Sequence, residues 1–295
     1  MRAVGIILAG GNNNRMKELT HKRAVAAMPI AGSYRSIDFA LSNMTNSHIQ
    51  KVAVLTQYNA RSLNEHLNSS KWWNFGRKQG GLYVFTPTIT NDNGYWYRGT
   101  ADAIYQNMDF LKKSHEPYVV IASGDAVYKM DYSKVLQYHI DKKADVTVVC
   151  KEMDPSDDVS RFGTIRMDDD MRITEFEEKP MVTKSNIIST GIYVIRRRLL
   201  IDLIEHAAEE ERFDFVNDVL IRYKNLKKIY GYKIDHYWSN IATVDAYYKT
   251  NMDFLKPEVR NYFFKQDPEI YSKVSDLPPA KYNPGASVKN SLVGS

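Results

Sequence analysis

Two glycines, an arginine and a distant aspartate are the residues of this chain whose types and spacing suit chemistry on phosphate. Residues 4–9 form a short apolar run that stops at Gly10 and Gly11, passes through three asparagines and reaches Arg15. Glycine and asparagine accept the positive φ values that turn successive backbone N–H groups toward one anion, and a helix starting behind them adds partial positive charge. Arg15 supplies a permanent cation able to grip phosphate oxygens in a bidentate way. The spacing is neither the dinucleotide fingerprint nor a Walker loop, and a Gly-Gly pair also serves as a plain strand-to-helix connection. The second candidate, Asp125, follows the apolar run 118–123 and Gly124. A carboxylate at the end of a buried strand is either a cap or salt-bridge partner or, on the functional reading, a Mg²⁺ ligand, because magnesium takes hard oxygen donors.

Positioning these residues requires an alternating fold. Residues 36–47 and 59–67 carry helical spacing around a valine-rich strand at 51–56. Aromatics and glycines over 69–95 read as a strand and a long loop ending in an NDNG turn. Gly99 then precedes a helix expected over 103–111. Strands are expected at 118–123, 144–151, 187–195 and 227–234, a hairpin over 161–180 with its Asp168-Asp169-Asp170 tip in solvent, and helices over 199–210, 215–223 and 244–255. Alternation of this kind implies a mainly parallel sheet flanked by helices, with ligands beyond the carboxyl ends of the strands. Gly10, Gly11 and Asp125 are therefore expected in one crevice.

Composition narrows the class. Apolar residues make up 43% and charged residues 25%, the balance of an ordinary soluble globular chain. The net charge of +5 comes without a long basic block, which suits phosphorylated small molecules better than nucleic acid. A single cysteine, Cys150, rules out an intrachain disulfide. Residues 4–9 are too short for a signal-peptide core and no apolar run reaches membrane-spanning length, so the cytoplasm is expected.

The motifs LAGG with Arg15, LSNMTNS, LTQY, WYRGTADAIYQN, SGDAVYKMDY, RFG, EFEEKP and STGIYV occur in the order of bacterial ADP-glucose pyrophosphorylases, or glucose-1-phosphate adenylyltransferases, and the chain resembles that family from about Gly5 onward. The resemblance implies a Rossmann-like nucleotidyltransferase domain with a mixed, mainly parallel sheet over residues 1–275. It also implies a linker and the first turn of a left-handed β-helix over 276–295, and suggests truncation, because stacked repeats need neighbours. Full-length family members form tetramers. In the family, ATP and glucose 1-phosphate give ADP-glucose and pyrophosphate. By motif, Gly10, Gly11 and Arg15 would hold the triphosphate, Gly99 and Thr100 the nucleoside side, and Tyr97, Gly163, Glu178, Lys179 and Ser189 the glucose 1-phosphate. Asp125 would ligate Mg²⁺, and Gln57 and Trp96 match positions that relay allosteric activation.

Several positions depart from the family pattern. Asn13 replaces a loop glycine, and Val25 stands where an A-K-P-A segment places lysine. Asn240 stands where the W-[KR]-D-V-G-T segment carries the second metal-binding carboxylate, with Ser239 and Ala242 replacing its cation and glycine. Ala126 follows Asp125 in place of histidine. Loss of one preorganised charge-stabilising group commonly costs about 10²- to 10³-fold in rate. This pattern resembles the GlgD-type partner subunit that accompanies a catalytic subunit in some bacteria. Two other readings stay open: an independently active enzyme using Lys22 or Lys129, and a sugar-phosphate or nucleotide sensor without an enzymatic partner.

Overall fold

The computed structural model describes residues 2–11, 14–76, 80–88, 94–274, 278 and 281–293. The first half runs β1 (Ala3–Leu8), the short pair β2 (Pro29–Ile30) and β3 (Tyr34–Arg35), α1 (Ser36–Asn46), β4 (Lys51–Leu55), α2 (Arg61–Leu67), β5 (Gly81–Phe85), α3 (Thr100–Gln106), α4 (Met108–Lys112), β6 (Tyr118–Ser123) and β7 (Ala126–Tyr128). The second runs α5 (Tyr132–Asp141), β8 (Val146–Glu152), β9 (Gly163–Met167), β10 (Ile173–Glu178), β11 (Ile187–Arg196), α6 (Arg197–Glu209), β12 (Ile229–Ile234), β13 (Trp238–Asn240), α7 (Val244–Asp253) and α8 (Pro257–Phe264).

Nine of these strands form one mixed, mainly parallel central sheet. Strands β6, β1, β4 and β5 lie side by side and parallel, and β12 runs parallel to β8. The long β11 joins the two regions by pairing antiparallel with β6, β8 and β9. Its register breaks between Ser189 and Tyr193, where Gly191 takes a φ of 75°, a conformation that glycine adopts at little cost.

Strand β1 is apolar throughout because it is covered on both sides. Ile7 enters a core with Leu41 and Met44 of α1 and Tyr132 and Leu136 of α5. Val4 and Ile6 face the opposite core, built from Ile104 of α3, Leu111 of α4 and Leu200 and Ile204 of α6. The period-2 alternation of side chains delivers neighbours to opposite layers, as a buried parallel strand requires. A third cluster packs Met16, Val25, Met28 and Phe39 against Phe254, at the junction of α7 and α8, and Phe263 of α8.

Three sequence expectations are revised. The helix expected over 103–111 begins at Thr100 and breaks at Asn107, whose Nδ2 donates to the Ala103 carbonyl and the Tyr97 hydroxyl, both at 2.9 Å. An asparagine that bonds the preceding turn competes with the helical ladder there. The segment after Phe215 is a π-helical turn, Phe215–Ile221. Helices α5 and α8 and the β7–β13 ladder add elements that periodicity had not separated.

The described tail residues 281–293 are exposed and form no strand. The expected linker residues Asp276, Leu277 and Pro279 lie outside the described residues, as do Asn13 and residues 91–93 of the NDNG turn. Among the described residues no helix is long and apolar enough to cross a membrane.

Candidate functional site

The carboxyl ends of β1, β4 and β6 open into a crevice of about 690 Å³. Backbone bonds tie the three strand ends together: Ala9 N–H donates to the Leu55 carbonyl at 2.8 Å and Gly124 N–H to the Leu8 carbonyl at 2.9 Å. The expected meeting of Gly10 and Gly11 with Asp125 is found, and Arg15 lines the same crevice. The expected reason for the glycines is not. Neither Gly10 nor Gly11 is among the residues with positive φ. A side chain at Gly11 would enter open space, and one at Gly10 would make ordinary contact with Gln57. Their effect is to leave bare backbone facing the cavity. The segment behind them, Asn14–Thr20, is a 3₁₀ turn broken at Lys17 (φ 49°, ψ −133°), so the expected helix dipole does not form there.

The nucleoside-side candidates sit at the opening of α3. Gly99 lets α3 approach the loop before Phe215 closely, since a Cβ on it would lie 2.3 Å from the Phe213 carbonyl oxygen. Thr100 Oγ1 accepts the Phe215 N–H at 2.9 Å and lines the crevice with Gly99. Ahead of them the Gln57 side-chain amide clamps the Tyr97 backbone, accepting its N–H at 2.6 Å and donating to its carbonyl at 3.3 Å. Gln57 and Tyr97 are on the crevice wall. Trp96 is not: it is exposed, with its ring stacked on Tyr58, centroids 5.7 Å apart.

The sugar-phosphate candidates divide. Lys179 reaches the wall from a left-handed residue, φ 47°, just beyond β10, and its Nζ pairs with Glu178 Oε1 at 2.9 Å. Glu178 lies behind it, opposite Gly163 in the β9–β10 register, where a Cβ on Gly163 would meet the Phe176 ring at 2.7 Å. Ser189 is buried, and its Oγ lies 3.2 Å from the hydroxyl of Tyr193, which does line the crevice. Gly163, Glu178 and Ser189 thus back the wall and do not form it.

At the far wall Asp125 and Asn240 are brought together by the β7–β13 ladder, in which Asn240 pairs with Ala126. Ser123 Oγ donates to Asp125 Oδ1 at 2.5 Å, and Asn240 Oδ1 accepts the Ala242 N–H at 3.0 Å. Val25 borders the crevice yet is only 7% exposed, its side chain belonging to the cluster around Met16 and Phe39. Among the described residues no group of three acidic, histidine or cysteine side chains is arranged to hold a metal. One carboxylate and an amide whose oxygen is already engaged do not fit a protein-built Mg²⁺ site of two carboxylates. Neither lysine considered as a substitute for Val25 reaches the wall. Lys22 is exposed elsewhere, and Lys129 Nζ is held by the Tyr262 and Gln266 carbonyls at 2.8 and 2.5 Å.

Arg98 and Arg161 are wall residues that carried no assigned role, although both stand inside quoted motifs, WYRGTA and RFG. Among the described lining residues charge is one-sided: Arg15, Arg98, Arg161 and Lys179 face a single carboxylate, Asp125. A concave surface with such a surplus concentrates anions.

Fold and crevice define a nucleotidyl transferase domain, and the family model described as Nucleotidyl transferase matches residues 4–257. Proteins named Glucose-1-phosphate adenylyltransferase are similar over nearly the whole chain. The one from Thermosipho melanesiensis is 39% identical over 98% of this chain and 71% of its own length. Those from Clostridium novyi and Bacillus anthracis are each 40% identical, over 98% and 99% of this chain and 76% and 78% of their own lengths. The chain belongs to the glucose-1-phosphate adenylyltransferase family.

Proposed function

We propose that this chain is a regulatory subunit of a glucose-1-phosphate adenylyltransferase, binding ATP or ADP-glucose and glucose 1-phosphate while turning over weakly by itself, and modulating a catalytic partner subunit in a hetero-oligomer. The carrying observation is the far wall of the crevice, which Asp125 shares with the amide residue Asn240 and with the apolar Val25.

In this reading Gly10, Gly11 and Arg15 take the triphosphate and Gly99 and Thr100 the nucleoside side. Tyr97 and Lys179 contact glucose 1-phosphate from the wall, with Glu178, Gly163 and Ser189 shaping that wall from behind. The sugar phosphate attacks the α-phosphorus in line, so rate depends on orientation and on positive charge over the leaving pyrophosphate. A Mg²⁺ carried in by the nucleotide would have Asp125 as its carboxylate ligand from the described wall, where it would offset charge on the phosphates, and one carboxylate would hold it more weakly than a pair. Gln57 and Trp96, joined through Tyr58 at the crevice mouth, connect an effector signal to the Tyr97 backbone. Residues 1–275 are the nucleotidyltransferase unit, and 276–295, with Val288 and Val293 exposed, are the linker and first turn of a left-handed β-helix.

Assaying ADP-glucose formation by the chain alone and mixed with a catalytic subunit tests this. The expected outcome is turnover about 10³-fold or more below that of the catalytic subunit, together with altered kinetics in the mixture. Comparable turnover by the chain alone overturns the proposal.

A further inference from the structure

Arg98 and Arg161 are the crevice residues whose charge the reading above leaves without a task, and Arg161 is the one that forms no ion pair with a carboxylate among the described residues. It precedes β9, and its Nη1 donates to Thr243 Oγ1 at 3.3 Å. Its guanidinium lies 4.6 Å from the centroid of the Phe162 ring, which packs edge-on against Trp238 at 5.6 Å. Thr243 caps α7 by accepting the Ala246 N–H at 3.2 Å, so the arginine is anchored to a fixed helix start. Two of the other wall cations are partnered by carboxylates: Arg98 with Asp102 at 3.2 Å and Lys179 with Glu178 at 2.9 Å. Arg161 has a neutral hydroxyl as its hydrogen-bond partner. Burial lowers its pKa from the ordinary value, with Asp158 and Asp125 opposing and Arg15 adding to that shift. Both arginines are thus within electrostatic reach of each other and of Asp125. A guanidinium stays charged even so.

Two arginines lining one crevice repel, and an anion bound in it relieves that repulsion. Of the carboxylates acting on Arg161, Asp125 lines the crevice, beside the uncharged amide of Asn240, while Asp157 and Asp158 are not among its lining residues. The described wall itself thus sets little negative charge against a polyphosphate that comes without a metal ion.

We propose that Arg161, acting with Arg15, is a phosphate-gripping residue of the crevice, so that nucleoside polyphosphate binds through arginine charge without needing a metal ion held by the protein. This rests on the reading of the crevice as a nucleotide site. A stacked, hydrogen-bonded guanidinium loses little freedom on binding and presents two parallel N–H donors to phosphate oxygens.

The test is calorimetric titration of the full chain with ATP and with inorganic tripolyphosphate, each in Mg²⁺ and in EDTA, and separately with glucose 1-phosphate. The wild-type chain is expected to bind both polyphosphates in EDTA, within about 5-fold of its affinity in Mg²⁺. Arg161→Gln is expected to weaken both by about 10-fold or more in EDTA, with Arg161→Lys intermediate and glucose 1-phosphate affinity shifted less than about 2-fold. Thermal melting checks that each variant is folded, and Arg161→Lys, which keeps charge and stem, serves if the glutamine variant is not. Unchanged tripolyphosphate affinity in a folded Arg161→Gln, or wild-type polyphosphate binding that disappears in EDTA, overturns the inference. In either case glucose 1-phosphate binding by the wild type leaves the functional proposal standing. Failure of the wild type to bind either ATP or glucose 1-phosphate overturns both.

Discussion

Asn240 and Asp125 are neighbours through their backbones: Asn240 pairs with Ala126 across the β7–β13 ladder, and the N–H of Ile241 donates to the Asp125 carbonyl at 2.9 Å. The side chains at 125 and 240 both line the crevice, at adjoining points of its wall. Reinstating charge is the direct experiment. Val25→Lys combined with Asn240→Asp is expected to raise ADP-glucose formation by about 10²-fold or more. Val25 sits at the edge of an apolar cluster, so the lysine stem can pack there while its amine reaches the crevice, and melting temperature reports any cost. No gain over an already active wild type favours the independently active enzyme.

Gln57 holds residues 96–98 by two hydrogen bonds to one residue, the N–H and the carbonyl of Tyr97, and so to the peptide units on either side of it. Gln57→Ala is expected to weaken this local clamp by about 1–3 kcal/mol. Hydrogen exchange at Tyr97 and Arg98 should quicken and Trp96 emission should change, while global stability moves little. Unchanged exchange there contradicts the clamp.

Gly99 is required by space. Its Cβ position lies against the Phe213 carbonyl, a backbone atom that cannot turn aside. Gly99→Ala is expected to push α3 from the turn at Phe215, costing about 1–3 kcal/mol in a urea titration, whereas Gly11→Ala, facing open space, should be nearly neutral for stability.

Lys179 is the wall cation on the sugar-phosphate side. Lys179→Gln is expected to weaken glucose 1-phosphate by about 10-fold or more while changing tripolyphosphate affinity far less. Equal losses for both ligands contradict separate subsites.

His139 makes the fold sensitive to acid. Burial first, then Arg196, lowers its pKa from 6.5 to about 4, with Nδ1 set against Thr147 Oγ1 at 2.9 Å and Nε2 buried without a partner. The unfolded chain takes up a proton as pH falls through the ordinary value, and the folded chain resists until about 4. Stability fully present above 6.5 is therefore lost between 6.5 and 4, on the order of 2 kcal/mol from pH 7 to pH 5. Urea midpoints across this range should fall in the wild type and less in His139→Gln.

The alternation of strands and helices, and the crevice where Gly10, Gly11 and Asp125 meet, follow from local pattern alone. Apolar runs such as 118–123 encode burial on two faces, and parallel strands place their carboxyl ends together. Motif order likewise singles out Lys179 and Thr100. What no local pattern contains is the pairing of β13 with β7, since three residues carry no period of their own. That pairing sets Asn240 beside Asp125. Tertiary packing also decides that Lys129 is spent on two carbonyls, that Glu178 and Ser189 stand behind the wall, and that Arg161 is turned onto Phe162 and Thr243 to face the crevice. Residue types and their order set which charges the chain owns. Which of them face one another depends on contacts between segments far apart in sequence, and only the folded chain makes those.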